Sequence, residues 1–260
     1  MNYYVAADIH GFYSEFEQAL ENAGYFDDNS PHKLIICGDL FDRGGEAKLL
    51  QSFICDLLSK DQVILIRGNH EDLAGELFDS FSMHHDVYSV GRHHILNGTF
   101  DTFMQLSDMT LNDVTAYPER MIKRVAHSPY FTRIIPSCID YYETKNYIFV
   151  HGWIPCRISD YGHSVYNPEW RKASNAEWHE ARWTNGMLAS WHGAVEPNKT
   201  IVCGHFHTSF GHCRADNTPE FGEGADFSPY VGDGIIAIDA CTAYSKRVNV
   251  LKISDEELTK

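Results

Sequence analysis

The chain has 260 residues, a formal net charge of −15, 43% hydrophobic residues and 22% charged ones. That length suits one substantial core, a single domain over residues 1–260, and the composition excludes the disordered class. The acidic balance carries no basic stripe, which argues against a nucleic-acid backbone as main partner. No apolar stretch nears the roughly 20 residues of a membrane span, so no membrane partner is expected.

Tyr3-Tyr4-Val5-Ala6-Ala7 reads as a first strand. It is entered without a basic n-region or long apolar h-region, so no secretory signal is expected. Asp8-Ile9-His10-Gly11 follows, then an amphipathic helix over residues 14–23 with Phe16 and Leu20 on its apolar face. Ser14 and Glu17 have the spacing of a capping box at its start. A second strand, Leu34-Ile35-Ile36-Cys37, delivers Gly38-Asp39-Leu40-Phe41-Asp42-Arg43-Gly44. A helix over 46–59 and a strand over 62–66 then lead to Arg67-Gly68-Asn69-His70-Glu71. Such a β-α-β-α-β order puts ligands at the carboxyl ends of the strands.

From 72 to 133 the pattern turns helical and irregular, an excursion packed beside the sheet, with Asn97-Gly98-Thr99 as a turn into a further helix. Strands resume over 147–150, delivering His151-Gly152-Trp153, and over 200–203, delivering Gly204-His205-Phe206-His207. Residues 234–238 and 248–253 read as closing strands. Residues 153–198, with all five tryptophans, and the loop-like 209–233 are expected on the substrate side. Seven scattered cysteines with no C-x-x-C pair fit the reduced thiols of a cytoplasmic protein.

The strand ends gather Asp8, His10, Asp39, Asp42, Asn69, His70, His151, His205 and His207. Carboxylate, imidazole and amide together suit borderline first-row dications such as manganese, iron or zinc. One carboxylate bridging two ions would hold them roughly 3.5–4 Å apart, the spacing for phosphoryl hydrolysis. The planar guanidinium of Arg43 suits phosphate. His205 and His207 stand two apart, so in an extended segment both would turn toward the site, His207 to the first metal.

Asp8-x-His10, Gly38-Asp39-x-x-Asp42-Arg43-Gly44, Gly68-Asn69-His70-Glu71, His151-Gly152 and Gly204-His205-x-His207 resemble the motifs of the calcineurin-like metallophosphoesterase superfamily. The longer forms Asp42-Arg43-Gly44 and Arg67-Gly68-Asn69-His70-Glu71 are similar to its phosphoprotein phosphatase branch, which includes bacterial and phage serine/threonine phosphatases and diadenosine tetraphosphatases. The resemblance implies an α/β fold of two mixed sheets sandwiched between flanking helices. It implies that Asp8 and His10 bind a first divalent ion, that Asp39 bridges two, and that Asn69, His151 and His205 bind the second. His70 would be the general acid, Asp42 its orienting partner and Arg43 the phosphate ligand. His207 is extra to the phosphoprotein phosphatase pattern, and Arg182 is the nearest candidate for a second phosphate arginine.

The implied function is hydrolysis of phosphate monoesters by a metal-activated hydroxide, serine/threonine-phosphatase-like, on a phosphoprotein or a small phosphate or nucleotide. Two divalent ions are the expected cofactors, manganese first, with iron or zinc as alternatives. The second reading is a dinucleoside polyphosphate hydrolase. Behind it stand a nuclease or phosphodiesterase and a catalytically silent metal-binding scaffold.

Overall fold

The computed structural model describes residues 1–257. In chain order its strands are β1 (Asn2–Ala6), β2 (His32–Cys37), β3 (Val63–Ile66), β4 (Cys138–Ile139), β5 (Tyr142–Glu143) and β6 (Tyr147–Phe149). They continue with β7 (Arg157–Ile158), β8 (Ser164–Val165), β9 (Thr200–Cys203), β10 (Tyr230–Gly232), β11 (Ile235–Ala237) and β12 (Leu251–Ser254). Two mixed five-stranded sheets result, in the orders β12-β1-β2-β3-β4 and β10-β11-β9-β6-β5, with β7 and β8 a separate hairpin. Strands β1 to β4 run parallel and β12 closes the edge antiparallel. In the second sheet β6, β9 and β11 are parallel, between antiparallel edges β5 and β10.

Alternation along the strands explains the layering. Tyr3 and Val5 of β1, Ile35 and Cys37 of β2 and Ile66 of β3 pack with Phe149, Val202 and Ile238 between the two sheets. Their neighbours Tyr4, Ala6, Leu34 and Ile36 face the other way, onto Phe16 and Leu20 of the helix Tyr13–Asn22 and Leu50 and Ile54 of the helix Ala47–Ser59. Strands buried on both faces are the near-continuous apolar runs typical of covered parallel sheets. The second sheet turns Ile148, Val150 and Ile201 onto Trp153, Trp170 and Trp178, so the tryptophan-rich region is chiefly a packing layer. Ile35 is fully buried, and Ile35→Ala would cost about 2–5 kcal/mol.

Three local expectations change. The first helix has no capping box: Phe12 is its N-cap, and Ser14 bonds from its N–H and hydroxyl to Glu46, at 2.8 and 2.6 Å. A loop carboxylate supplies what Glu17 would have given, joining the starts of two helices. The stretch expected as a loop over 209–233 holds a helix, Thr208–Ala215, and strand β10. The edge strands β4 and β5 and the β7–β8 hairpin are two residues long, too short for periodicity to register.

Candidate metal centre and active site

Strands β1, β2, β3, β6, β9 and β11 each end in a polar loop, and these loops meet. They leave the strands sharply. Asp8, His10, Asp39, Asp42, Arg43 and His205 all have left-handed φ, between 52° and 77°. Non-glycine residues adopt that region rarely, and such strain gathers at functional sites. Two glycines give the loops room. A Cβ on Gly68 would collide with Asp39 and Glu71, and one on Gly204 with the Asp8 carboxylate.

Two groups of metal-competent side chains share one residue. Donor atoms of His10, Asp39 and His70 lie within 4.8 Å of one another, as do those of Asp39, His151 and His205. Asp39 is common to both. His10 Nδ1 lies 3.0 Å from Phe41 O and His151 Nδ1 2.8 Å from Cys37 O. Each ring therefore donates from Nδ1 and turns its Nε2 lone pair inward. The Nε2 of His151 then faces two oxygens, Asn69 Oδ1 at 2.8 Å and Asp39 Oδ1 at 3.3 Å. His205 Nδ1 meets the same Asn69 oxygen at 2.9 Å. Lone pairs aimed at one another repel, and a cation among them turns the arrangement into a coordination shell. The donor set fits a divalent ion on each side of Asp39.

Electrostatics sort the four imidazoles. Burial holds His10 well below the ordinary range, helped by the Arg43 charge, and burial also lowers His151. Burial and the neighbouring His151 hold His205 at about 3. These three are neutral donors. For His70 burial again pulls down, but Asp39 and a hydrogen bond to Asp42 outweigh it and raise the pKa. His70 thus favours the cation where its neighbours do not. Burial opposes an ionised Asp39, yet the pull of the surrounding imidazoles in their protonated form at acid pH, His151 foremost, keeps its carboxyl below the usual carboxylate range.

His70 Nδ1 lies 2.7 Å from Asp42 Oδ2. Asp42 also accepts from the hydroxyls of Thr99 at 2.8 Å and Thr102 at 2.7 Å, and its own N–H donates to Thr102. The carboxylate is thereby fixed from behind by the helix Thr99–Ser107. The guanidinium of Arg43 spans the opening, with Nη1 2.9 Å from His10 Nε2 and Nη2 3.2 Å from His70 Nε2.

Asp8 carries a different load. Its carboxylate accepts from the His205 N–H at 2.9 and 3.1 Å, and its own C=O accepts from Thr242. Burial, then Asp239 and Asp39, raise its pKa well above the usual range. Burial pushes Asp239 up to about 6, and burial with Asp39 pushes Glu71 to about 7. Crowded buried carboxylates repel, and bound cations relieve that repulsion. Glu71 accepts from the N–H groups of Gly68, Asp39 and Leu40 at 2.8, 3.1 and 3.1 Å, locking the second and third loops together. The sequence displays Glu71 inside a motif without its task. Asp239 and Thr242 come from the last loop, and Thr99 and Thr102 lie 57 and 60 residues from their partner, beyond any local pattern.

Two expected residues stand apart. The stretch around His207 is not extended. His205 is left-handed, Phe206 N–H donates to Gly204 O at 2.8 Å, and His207 is the N-cap of the next helix. Its Nδ1 meets Ser209 Oγ at 3.0 Å and its Nε2 lies 3.5 Å from Glu220, outside both groups. Arg182 is buried and pairs with Asp72 at 2.7 Å and Asp140 at 2.9 Å.

A family profile of calcineurin-like phosphoesterases matches residues 1–223. A symmetrical bis(5'-nucleosyl)-tetraphosphatase of Buchnera aphidicola is 38% identical over 71 residues, 27% of this chain and 24% of its own. The match therefore spans about a quarter of that relative's length. Among solved structures, a cold-active protein tyrosine phosphatase superposes on 97% of this chain and 73% of its own, with a TM-score of 0.55 and 16% identity. A serine/threonine phosphatase of Saccharomyces cerevisiae covers 100% of this chain and 81% of its own, at a TM-score of 0.51 and 13% identity. At those identities the likeness is one of fold. With five strand-end loops supplying two groups that share Asp39, and a profile match over most of its length, the chain belongs to the calcineurin-like phosphoesterase family.

Proposed function

We propose that the chain hydrolyses phosphoric monoesters, in the manner of a serine/threonine phosphatase, with two divalent ions of which manganese is the first choice. The observation that carries this reading is the sharing of Asp39 by two donor groups, one of them holding a His151 lone pair that faces two oxygens. With His70 kept for the proton, Asp8, which lies outside both groups, would join His10 and Asp39 on one ion as the family resemblance implies, and Asp39, Asn69, His151 and His205 would hold the other. When bound, such a pair supplies Lewis acidity toward water and the phosphoryl oxygens.

The chain's own residues do the rest. Arg43 and a protonated His70 aim donors at one place, Nη2 and Nε2 being 3.2 Å apart, which suits an anionic phosphoryl oxygen. His70, anchored through Nδ1 on Asp42, is free to give its Nε2 proton to the departing oxygen. Its raised pKa, against the lowered values of His10, His151 and His205, supports a proton-donor role over a ligand role. Arg182, committed to Asp72 and Asp140, leaves phosphate binding to Arg43. All seven cysteines are free, which supports a cytoplasmic setting.

A second reading is a dinucleoside polyphosphate hydrolase. The tetraphosphatase relative supports it, as does Trp183, which is 46% exposed and sets its indole edge-on to His205 with ring centroids 5.8 Å apart. An exposed indole beside the metal centre could take a nucleobase. Turnover of p-nitrophenyl phosphate against diadenosine tetraphosphate separates the two. Chelation should abolish hydrolysis of either and manganese restore it. Full activity in a preparation shown metal-free by elemental analysis would overturn both.

A further inference from the structure

A separate set of metal-competent side chains lies in the helical excursion. Glu76 sits on the helix Asn69–His84, and His93 and His94 on the short helix Arg92–Leu96. One donor atom from each lies within 4.8 Å of the other two, and no member belongs to the groups around Asp39.

Three observations mark this set off from a chance surface cluster. His94 is only 4% exposed, and its Nδ1 is buried without a hydrogen-bond partner among the described residues. A buried polar atom left unpaired is costly and asks for a reason. The two rings lie against each other, centroids 3.8 Å apart at 44°. A Cβ on Gly91 would come within 2.7 and 2.9 Å of His93 Cε1 and Nδ1, so the missing side chain there makes room for the folded-back imidazole. Burial, and then His93, also hold His94 at about 4, a neutral ring at neutral pH.

We propose that Glu76, His93 and His94 bind a further divalent ion of the zinc class. Two imidazoles and one carboxylate are a recurrent zinc set, with the fourth position left for water. His94 is the fixed member. Glu76 and His93 are exposed and free to close around the ion. The ion would pin the helix Arg92–Leu96 to the helix Asn69–His84. Immediately downstream, Asn97 Oδ1 accepts from Arg43 at 3.5 Å, and Thr99 and Thr102 hold Asp42. The site therefore braces the proton-donor dyad from outside and touches no substrate.

The test is zinc stoichiometry. Chelator-treated full-length wild type, His93→Ala, Glu76→Gln and His151→Asn are dialysed against micromolar zinc and analysed for bound metal. His93→Ala and Glu76→Gln should each hold one equivalent fewer than wild type, whatever the Asp39 centre holds. His151→Asn should keep the equivalent that a further His93→Ala removes. His93→Ala and Glu76→Gln change exposed side chains, so folding should survive, and circular dichroism checks it. Equal zinc content in wild type, His93→Ala and Glu76→Gln would overturn the proposal. So would loss of that equivalent in His151→Asn with His93 and Glu76 intact. Neither result depends on the phosphatase reading, which is tested by activity.

Discussion

The two sheets contribute to the site in different ways. The loops after β1, β2 and β3 bring Asp8, His10, Asp39, Asp42, Arg43, Asn69 and His70, whereas those after β6 and β9 add His151 and His205. The first half is tied within itself. Glu71 clasps Gly68, Asp39 and Leu40, and the His70 N–H donates to Asp39 at 3.0 Å. The second half is tied to the first. His151 leans on Cys37 O, and the His205 N–H donates to Asp8. The proposed proton donor and anion clamp thus belong to one sheet, while the group of Asp39, His151 and His205 needs both. Proton transfer and ion retention should be separable by mutation.

The largest effect should come from the second sheet. His151→Asn should release one of the two ions and take activity to near background, read as metal content after gel filtration together with turnover. Retention of both ions would show that the second sheet is not needed to hold them. On the first sheet, His70→Asn should lower kcat by roughly 10² to 10⁴-fold with metal content unchanged, the usual worth of general acid catalysis. The loss should shrink for substrates whose leaving group is a weak base. An unaltered kcat on phenyl phosphate would remove His70 from the proton path.

A finer cut within the first half uses pH. The His70 pKa is raised above its ordinary value because Asp39 and Asp42 outweigh burial, so the imidazolium persists above the usual pH and is lost as pH rises through that value. An acid must be protonated to act, and with Asp39 committed to two ions the Asp42 contact is what favours the imidazolium, so the alkaline limb of kcat should depend on Asp42. Asp42→Asn removes the charge and should move that limb to lower pH, against an unchanged acid limb. A limb that stays put would mean another group titrates there. The smallest effect, about tenfold, is expected of Thr99→Val or Thr102→Val, which loosen Asp42 without touching substrate. Their limb should move in the same direction as that of Asp42→Asn, by less.

The same division governs what was legible in the sequence. Loops on the first sheet carry several functional residues within a few positions of a clear apolar strand, so Asp39, Asp42, Arg43, Asn69 and His70 announce themselves together. His151 and His205 were also marked by strands ahead of them. His207 lies outside both donor groups because the alternation rule needs an extended chain, and the left-handed turn at His205 breaks it. Thr99 and Thr102 could not be read, since a side chain that serves a carboxylate some sixty positions away leaves no periodic trace. Nor could the task of Glu71, because an acid in the first turn of a helix has an ordinary explanation in the helix dipole. The short edge strands were invisible for want of length.

Asp39 is proposed to stand between two ions. Anomalous diffraction at the manganese edge from manganese-soaked crystals tests it without reference to any substrate. Two peaks about 3.5–4 Å apart are expected on either side of the Asp39 carboxylate, one against His10 and the other against His151 and His205. A single peak there, or a pair that does not share Asp39, would contradict it.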